Sequence, residues 1–375
     1  MKTARRLYHQ RCQVISTHKR GMETSGIKYI GSKSSLLEPI LAVVYKYVPL
    51  PPGKRPKMLD VFTGTTRVAQ AFRQRGWDTV TSDLSWASEV YAKTFLATNN
   101  NKQLEPLIQK LNAIKPKAGW LTRNYCDVES DDGTVVRVWQ PKNGMKADAI
   151  RDEIDKLYNH GRINDQEKAT LTTSLIFALD KVDNTVGIQQ AYLKQWCTRS
   201  HKDLLLTLPK VAQVKPNPTT KHITGDCLTA KYDAADIAYL DPPYSSHTYF
   251  SYYHIWDSIA RWDKPEVGLK THRRIDRVTS SDEYDDSMSS PWNSKSKALE
   301  AFKQLIHRLP VRFVLISYSN ESIVPINDLI NLCRKFGPIH VEEINYKRHL
   351  MSQLISVEKT DMYATKEYLI LLKKA

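Results

Sequence analysis

The 375-residue sequence predicts an α/β fold in which helices cover a mostly parallel sheet. Two strand-sized segments, the apolar Met58–Phe62 and the later Asp78–Ser82, flank a helical segment, Val68–Arg75, that ends at Gly76. This strand–helix–strand order is the opening unit of a doubly wound sheet. A further apolar strand, Ile237–Leu240, runs directly into a carboxylate, as expected where such sheets bind ligands.

Other segments complete the predicted sheet and its cover. Leu36–Tyr47 has the periodicity of a helix that precedes the first strand, and Phe313–Ser317 reads as a late strand. The tail, Tyr368–Leu372, is predicted to be the last strand, paired with Val341–Tyr346 as a hairpin.

The chain is expected to divide into three parts. Residues 1–26 lack apolar periodicity and are predicted to form a flexible basic arm. A main α/β domain is assigned to residues 27–99 and 223–375. Residues 100–222, too long for a loop, are predicted to be a helical insert.

Within the insert, Ala147–His160 and Asp165–Lys181 carry helical periodicity, and Ala191–Trp196 is predicted to continue it. The acidic, Ser-rich stretch Asp282–Asn293 is weakly patterned, so we expect a mobile loop there.

Composition favours a soluble protein with a polyanionic partner. The net charge is +15, and residues 1–57 hold twelve Lys and Arg against two Glu. A second basic group falls within one short stretch: Lys270, Arg273, Arg274 and Arg277. Clustered positive charge is the expected footprint of a phosphate backbone, although a solvated basic surface explains the charge equally well.

Several function classes are disfavoured by the sequence. No apolar run is long enough to cross a bilayer, and the first twenty residues are too basic for a secretory signal, so we expect a cytoplasmic protein. Five scattered cysteines without a CxxC pair predict neither a disulfide framework nor a zinc site.

The sharpest chemical signal is Asp241-Pro242-Pro243-Tyr244, which follows the apolar strand directly. Two prolines fix φ twice and remove two N–H donors, leaving a rigid turn rich in acceptors. A base amine such as that of adenine needs two acceptors for its hydrogens and a flat face to stack on. The alternative is a Pro-Pro turn with an incidental aspartate.

A second signal is the strand-to-helix turn around Gly64 in DVFTGTT (60–66). Such a turn brings backbone N–H groups and a helix N-terminus against a ligand. Asp83, at the end of the next strand, is suitably placed to accept from a ribose hydroxyl pair. Together these features favour a cofactor that carries a nucleoside.

A third signal is KYIGSK (28–33), a Gly-Ser turn between a predicted strand and the helix that begins at Leu36. Lys33 could meet a carboxylate or a phosphate. For an isolated GSK, a surface lysine at a helix start is the better interpretation.

Taken in order, these motifs resemble those of alpha-class, Dam-like DNA adenine-N6 methyltransferases of bacteria and phages. The likeness continues through Asp180–Gly187 (DKVDNTVG), the segment YYHIWDSIARWD after the DPPY tetrapeptide, and Leu315–Glu321 (LISYSNE). It covers the chain from about Ile27 to the C-terminus.

The resemblance implies a class I S-adenosylmethionine-dependent methyltransferase fold, with a Rossmann-like seven-stranded sheet. Residues 27–99 and 223–375 would then form the catalytic domain, and the helical insert, residues 100–222, the target-recognition region. It implies S-adenosylmethionine as cofactor, no metal, double-stranded DNA as partner, an adenine flipped out of the duplex, and a cognate restriction endonuclease as a candidate partner. The residues expected around the cofactor are Tyr29, Lys33, Asp60, Phe62, Gly64, Thr65, Asp83, Asp226 and Asp241. The expected catalytic residues are Asp241, Pro242, Pro243 and Tyr244, and the expected contacts to DNA are Lys270, Arg273, Arg274 and Arg277.

One position departs from the family pattern, because Thr66 stands where a second glycine is usual. Threonine disfavours a positive φ, so we expect a normal turn and a differently shaped cofactor loop.

Two alternatives remain open at this point. Some rRNA base N-methyltransferases also carry a D-P-P-[FY] tetrapeptide, but they lack the upstream GSK segment. The chain could also be a catalytically silent DNA-binding relative, against which the intact DPPY argues.

Overall fold

The computed structural model describes residues 23–29, 31–97, 101–129, 133, 135–189, 191–243, 249–268, 272–274, 290–346 and 365–375. The strands in these ranges are β1 Lys57–Asp60, β2 Asp78–Asp83, β3 Cys126–Glu129, β4 Val135–Arg137, β5 Thr220–Thr224, β6 Ala235–Leu240, β7 Val311–Ser319, β8 Ile339–Tyr346 and β9 Thr365–Lys373. The α-helices are α1 Leu37–Tyr47, α2 Arg67–Gln74, α3 Trp86–Phe95, α4 Glu105–Asn112, α5 Trp120–Tyr125, α6 Pro141–Asn159, α7 Asp165–Val182, α8 Tyr249–Arg261, α9 Ala298–Arg308 and α10 Ile326–Arg334.

Seven of these strands form one sheet in the order β5-β2-β1-β6-β7-β9-β8. The pairs from β5 to β7 are parallel, whereas β9 runs antiparallel to both β7 and β8. The predicted hairpin of the last two strands is therefore confirmed. A seven-stranded, mostly parallel sheet with one reversed strand also confirms the predicted fold class.

Helices cover both faces of the sheet because neighbouring strand residues point to opposite sides. Met58 of β1 lies in an apolar cluster with residues of α1 and α2, such as Ile40 and Phe72. The next residue, Leu59, lies in a second cluster with residues of α9 and α10. Burial of β1 on both faces explains its short, continuous apolar sequence.

Residues of the predicted insert form a third apolar cluster, which they share with α3 and α8. Leu121, Ile150 and Leu175, from α5, α6 and α7, are fully buried in it. The insert therefore packs directly on the helix that follows β2 and on the helix that follows the DPPY segment. None of the described helices combines the length and the apolar content that a membrane crossing demands.

The prediction that helix continues through Ala191–Trp196 is wrong. Asn184 closes this segment into a loop, since its side chain donates to the Leu193 carbonyl at 2.9 Å and accepts from the Cys197 amide at 2.8 Å. An isolated bridge pairs Thr185 with Tyr192. Apolar periodicity could not reveal a loop that one buried amide side chain holds together.

Likewise, the segment before Gly31 forms no strand in the described residues 23–29. It is held by α2 instead, because Arg67 donates to the carbonyls of Thr24 and Gly26.

Arg73 of α2 ties the insert to the sheet. Its guanidinium, on a side chain only 1% exposed, donates to the carbonyls of Leu96, Ala97 and Ala212 at 2.9, 2.7 and 2.8 Å. The first two carbonyls lie where the chain leaves α3, and the third lies shortly before it returns to β5. One side chain thus fixes both connections of the insert.

We predict that Arg73→Met lowers the free energy of unfolding by at least about 3 kcal/mol, because it leaves buried carbonyl groups without their charged donor. Urea unfolding followed by circular dichroism measures the loss. Arg75→Met is the matched control, since Arg75 lies 3.7 Å from the exposed Glu38 and should change stability by less than about 1 kcal/mol. Equal stability of the two variants would contradict the anchoring role.

Candidate active site

The carboxyl ends of β1, β2 and β6 meet at one edge of the sheet, because these parallel strands are neighbours there. Asp60 and Asp83 end the first two strands, and Asp241 directly follows the third. All three line one cavity of about 520 Å³. The sequence-predicted residues that line the same cavity are Tyr29, Lys33, Phe62, Gly64, Thr65, Asp226 and Pro243.

Lys33 is at the floor of this cavity and is not a surface lysine, although the isolated GSK favoured that interpretation. Its side chain is 6% exposed, and Nζ lies 3.0 Å from Asp241 Oδ1. Nζ also donates to the Gly31 carbonyl at 3.2 Å. The segment before α1 thus contacts the end of β6, which fixes the DPPY turn relative to the sheet.

Burial and charge oppose each other in this pair. Burial raises the pKa of Asp241 to about 7, although the Lys33 ammonium offsets part of the effect. For Lys33, burial alone would lower the pKa, but Asp241 and a second carboxylate raise it above its ordinary value. Lys33 therefore remains charged, and Asp241 changes its protonation near neutral pH.

That second carboxylate, Glu367 of β9, was missed by the sequence reasoning. Its Oε1 lies 3.4 Å from Lys33 Nζ and accepts a 2.6 Å hydrogen bond from Ser317 Oγ of β7. Glu367 is 5% exposed. The available signal was an acidic residue within an otherwise apolar strand, where a buried charge requires a partner.

The turn after β1 is built on two aspartates. Thr63 Oγ1 donates to Asp60 Oδ2 at 2.9 Å, whereas the buried Asp60 Oδ1 has no hydrogen-bond partner among the described residues. Burial raises the pKa of Asp60 to about 7. Asp83, which was predicted to accept from a ribose, also holds the loop after β1, because it accepts from the backbone amides of Gly64 and Ser85 at 2.8 and 2.9 Å.

The expectation of a normal turn at Thr66 is wrong. Thr66 has φ +63°, in the left-handed region, and Gly64 precedes it with φ +49°. The side-chain amide of Gln70 donates to Thr66 Oγ1 at 3.0 Å, and the backbone N–H of Gln70 donates to the Thr66 carbonyl at 2.8 Å. These bonds offset the roughly 1–3 kcal/mol that a non-glycine residue costs in this conformation.

Aromatic rings form two walls of the cavity. Tyr29 stacks on Tyr253 of α8, with ring centroids 4.4 Å apart. Phe62 meets Trp292 edge to face at 5.0 Å. Trp292 was not foreseen, because it falls in the stretch Asp282–Asn293 that we expected to be a mobile loop; residues 290–293 line the cavity, and the rest of that stretch lies outside the described residues.

Cys227 also lines the cavity, next to Asp226. Burial, with Asp226 adding to the effect, raises the pKa of the Cys227 thiol far above neutrality. The thiol therefore stays protonated and is poorly suited to act as a nucleophile.

The motif Asp180–Gly187 binds the segment that carries Tyr29 and Lys33. Lys28 donates to Asp183 Oδ1 at 2.9 Å, and Arg199 Nε donates to the same oxygen at 2.8 Å. Burial raises the pKa of Asp180 to about 6, while nearby Lys28 lowers it. The insert thus holds one wall of the cavity through a partly buried ion-pair network.

The expected basic cluster for DNA is only partly described, since Lys270 and Arg277 lie outside the described residues, as does Tyr244. Arg274 is 1% exposed, and its two terminal nitrogens donate to the Asp263 carboxylate at 3.0 and 2.7 Å. The expectation that Arg274 grips phosphate therefore does not fit its placement. Arg273 is half-buried and donates to Ser251 Oγ at 3.2 Å.

The sequence of this chain is similar to those of known methyltransferases. The modification methylase LlaI of Lactococcus lactis subsp. lactis is 29% identical over 341 residues, which span 86% of this chain and 51% of that protein. The type II methyltransferase M.NlaIII of Neisseria lactamica is 26% identical over 334 residues, 84% of this chain and 90% of that protein. The chain thus spans about half the length of the LlaI methylase.

Among solved structures, the chain is similar to one titled "delta-N METTL16 MTase domain", with 8% identity and a TM-score of 0.33 over 96% of this chain and 93% of that one. The family model described as D12 class N6 adenine-specific DNA methyltransferase matches residues 29–323. That match begins in the segment that carries Lys33 and includes the DPPY turn, the turn after β1 and the insert. The chain belongs to the D12 class of N6 adenine-specific DNA methyltransferases.

Proposed function

We propose that this protein transfers a methyl group from S-adenosylmethionine to N6 of an adenine in double-stranded DNA. The observation that carries the proposal is the buried Asp241 of the DPPY turn, paired with Lys33 at the floor of an aromatic-walled cavity.

The cavity residues suit S-adenosylmethionine. Asp60 Oδ1 is a buried acceptor that has no partner among the described residues, as a ligand ammonium requires. Asp83, at the end of β2, is placed for a ribose, and the apolar Leu84 beside it is 54% exposed and lines the cavity. Phe62 and Trp292 offer flat surfaces for a purine.

On the substrate side, the DPPY turn holds the amine. We assign the Asp241 carboxylate and the Pro242 carbonyl as acceptors for the two N6 hydrogens, with Tyr244 stacked on the flipped-out base. These bonds orient the nitrogen lone pair and increase its electron density. The protein thus contributes proximity and electrostatic positioning, without a covalent intermediate.

When bound, S-adenosylmethionine supplies a methyl group on a positively charged sulfur. The N6 lone pair forms the new N–C bond while the S–C bond breaks, and its electron pair stays on sulfur as a neutral thioether. The positive charge moves to N6, which then loses one proton to the surrounding acceptors and water. A carboxylate beside N6 stabilises that developing charge.

The DNA partner is supported by net charge and by the half-buried Arg273, which we keep as a proposed phosphate contact. We leave Arg274 out of that set because its partner is Asp263. The helical insert, residues 100–222, remains our proposed target-recognition region. A cognate restriction endonuclease remains a proposed partner.

Transfer of a labelled methyl group to duplex DNA, compared with rRNA under the same conditions, tests the proposed function. We expect label in adenine of DNA only. Label in RNA alone would favour an RNA methyltransferase, and tight DNA binding without transfer would favour a silent relative.

Asp241→Asn should lower kcat by at least about 10²-fold, because the amide removes the charge that stabilises the amine. Single-turnover methyl transfer with purified, folded protein measures it. Asp233→Asn, which removes the partner of Lys221 on the surface, is the matched control and should behave as wild type. Near-normal turnover of the Asp241 variant would disprove the catalytic assignment.

Asp83→Asn should weaken binding of S-adenosylmethionine more than it lowers kcat at saturation, because a ribose contact is made equally in ground and transition states. Calorimetric titration should give a Kd raised on the order of tenfold. Asp78→Asn, at the other end of β2, should leave that Kd unchanged. An unaltered Kd in the Asp83 variant would remove this residue from the cofactor site.

The pH profile of kcat/KM for DNA should show an acid limb near pH 7, the value to which burial raises the pKa of Asp241. Below it, kcat/KM should fall about tenfold per pH unit, because only the ionised carboxylate accepts from the amine. Asp60 has a similar pKa, so the profile is measured at saturating cofactor and repeated with Asp60→Asn, in which the limb should persist. A profile that stays flat to about pH 5.5 would contradict this role.

A further inference from the structure

Three charged side chains from distant parts of the chain meet beneath the cavity. Lys33 precedes α1, Asp241 follows β6, and Glu367 lies on β9, the reversed strand of the sheet. The ammonium of Lys33 lies 3.0 Å from one carboxylate and 3.4 Å from the other. With two carboxylates and one ammonium, the cluster carries one net negative charge when all three groups are ionised.

Glu367 is held in place independently of Lys33. Ser317 of β7 donates to it at 2.6 Å, and β7 pairs with β9 from Phe313 to Ser319. A buried carboxylate far from solvent is costly unless a structural or chemical gain offsets it. Because the Lys33–Asp241 pair is already complete without Glu367, pairing alone does not explain why the protein buries a second carboxylate there.

We propose that Glu367 is a positioning residue for methyl transfer: it shares the Lys33 ammonium with Asp241 and so keeps the cluster negatively charged beneath the reacting groups. This inference rests on the proposed function and extends it to a residue outside the segment 29–323 that matches the family.

The net negative charge of this cluster can stabilise the positive charge that moves during methyl transfer. The methyl donor carries a positive charge on sulfur. This charge moves to N6 as the N–C bond forms and the S–C bond breaks. The charge is then released from N6 as a proton. A neutral Lys33–Asp241 pair offers this moving charge little stabilisation, whereas a cluster with net charge −1 attracts it throughout. Because Lys33 and Glu367 are buried, such an attraction is stronger there than in bulk solvent.

A consequence for Asp241 follows from the same geometry. The ionisable groups that act on it from the described elements are Lys33, Glu367, Asp60 of β1 and Tyr239 of β6. Lys33 lowers the pKa of Asp241, and Glu367 raises it. Removing the charge of Glu367 should therefore lower the pKa of Asp241, even though it weakens the site.

Glu367→Gln tests the proposal because glutamine keeps the shape and one acceptor oxygen but loses the charge. In calorimetry on the free protein, we expect the Kd of cationic S-adenosylmethionine to rise on the order of threefold to tenfold relative to that of neutral S-adenosylhomocysteine. We also expect kcat to fall on the order of tenfold and the acid limb of kcat/KM to move to lower pH.

Ser317→Ala provides a second variant in case the first folds poorly, and it should shift the same three quantities by smaller amounts. The matched control is Glu343→Gln, which removes an ion pair to Lys366 at 2.6 Å on the exposed part of the β8–β9 hairpin and should leave all three unchanged.

An unchanged ratio of the two Kd values together with an unmoved acid limb would overturn the proposal, even if kcat fell, because such a loss would indicate a purely structural role. Failure of the proposed function is distinguishable, since wild-type protein would then transfer no methyl group to adenine in DNA. Wild-type behaviour of Glu367→Gln in an active enzyme overturns only the role of Glu367.

Discussion

The buried ammonium of Lys33 is the interaction on which the arrangement of the site depends. It joins the segment before α1 to the end of β6 and to β9, three parts of the chain that the sheet alone would not align at atomic precision. Removal of one partner from a buried ion pair typically costs about 3–5 kcal/mol, so the three parts are strongly coupled. Placing the DPPY turn correctly thus requires the completed sheet, including its last strand.

The insert adds a second constraint on the same site. Arg73 fixes the two connections of the insert to the sheet, and the pair of Lys28 with Asp183 connects it to the segment that carries Tyr29 and Lys33. The ring of Tyr29 then stacks on Tyr253 of α8. The insert, which we propose to recognise the DNA target, therefore directly contacts one wall of the proposed cofactor cavity. Target binding and cofactor binding have a physical route through which they can influence each other.

Local pattern was sufficient to predict the opening β1-α2-β2 unit, the terminal hairpin, the aspartates that end β1 and β2, and the aspartate that follows β6. Each depends on neighbouring residues: an apolar run followed by a carboxylate, or a helix that ends at glycine. The same reasoning failed where a distant partner decides the outcome. The isolated GSK segment indicates a surface lysine at position 33, because neither Asp241 nor Glu367 is near Lys33 in sequence; only the family resemblance placed Lys33 at the cofactor. Thr66 adopts a positive φ because Gln70 stabilises the turn, which residue preference alone could not indicate.

Charge was the least informative signal, since a count of lysines and arginines does not distinguish free cations from paired ones. Arg274 lies in a basic stretch of the sequence, yet its guanidinium is buried and forms an ion pair with Asp263. The most direct measurement of the central claim is nucleoside analysis by mass spectrometry of duplex DNA incubated with the purified protein and S-adenosylmethionine. The account predicts N6-methyladenine that disappears with Asp241→Asn. Methylated cytosine, or no methylated nucleoside at all, would contradict it.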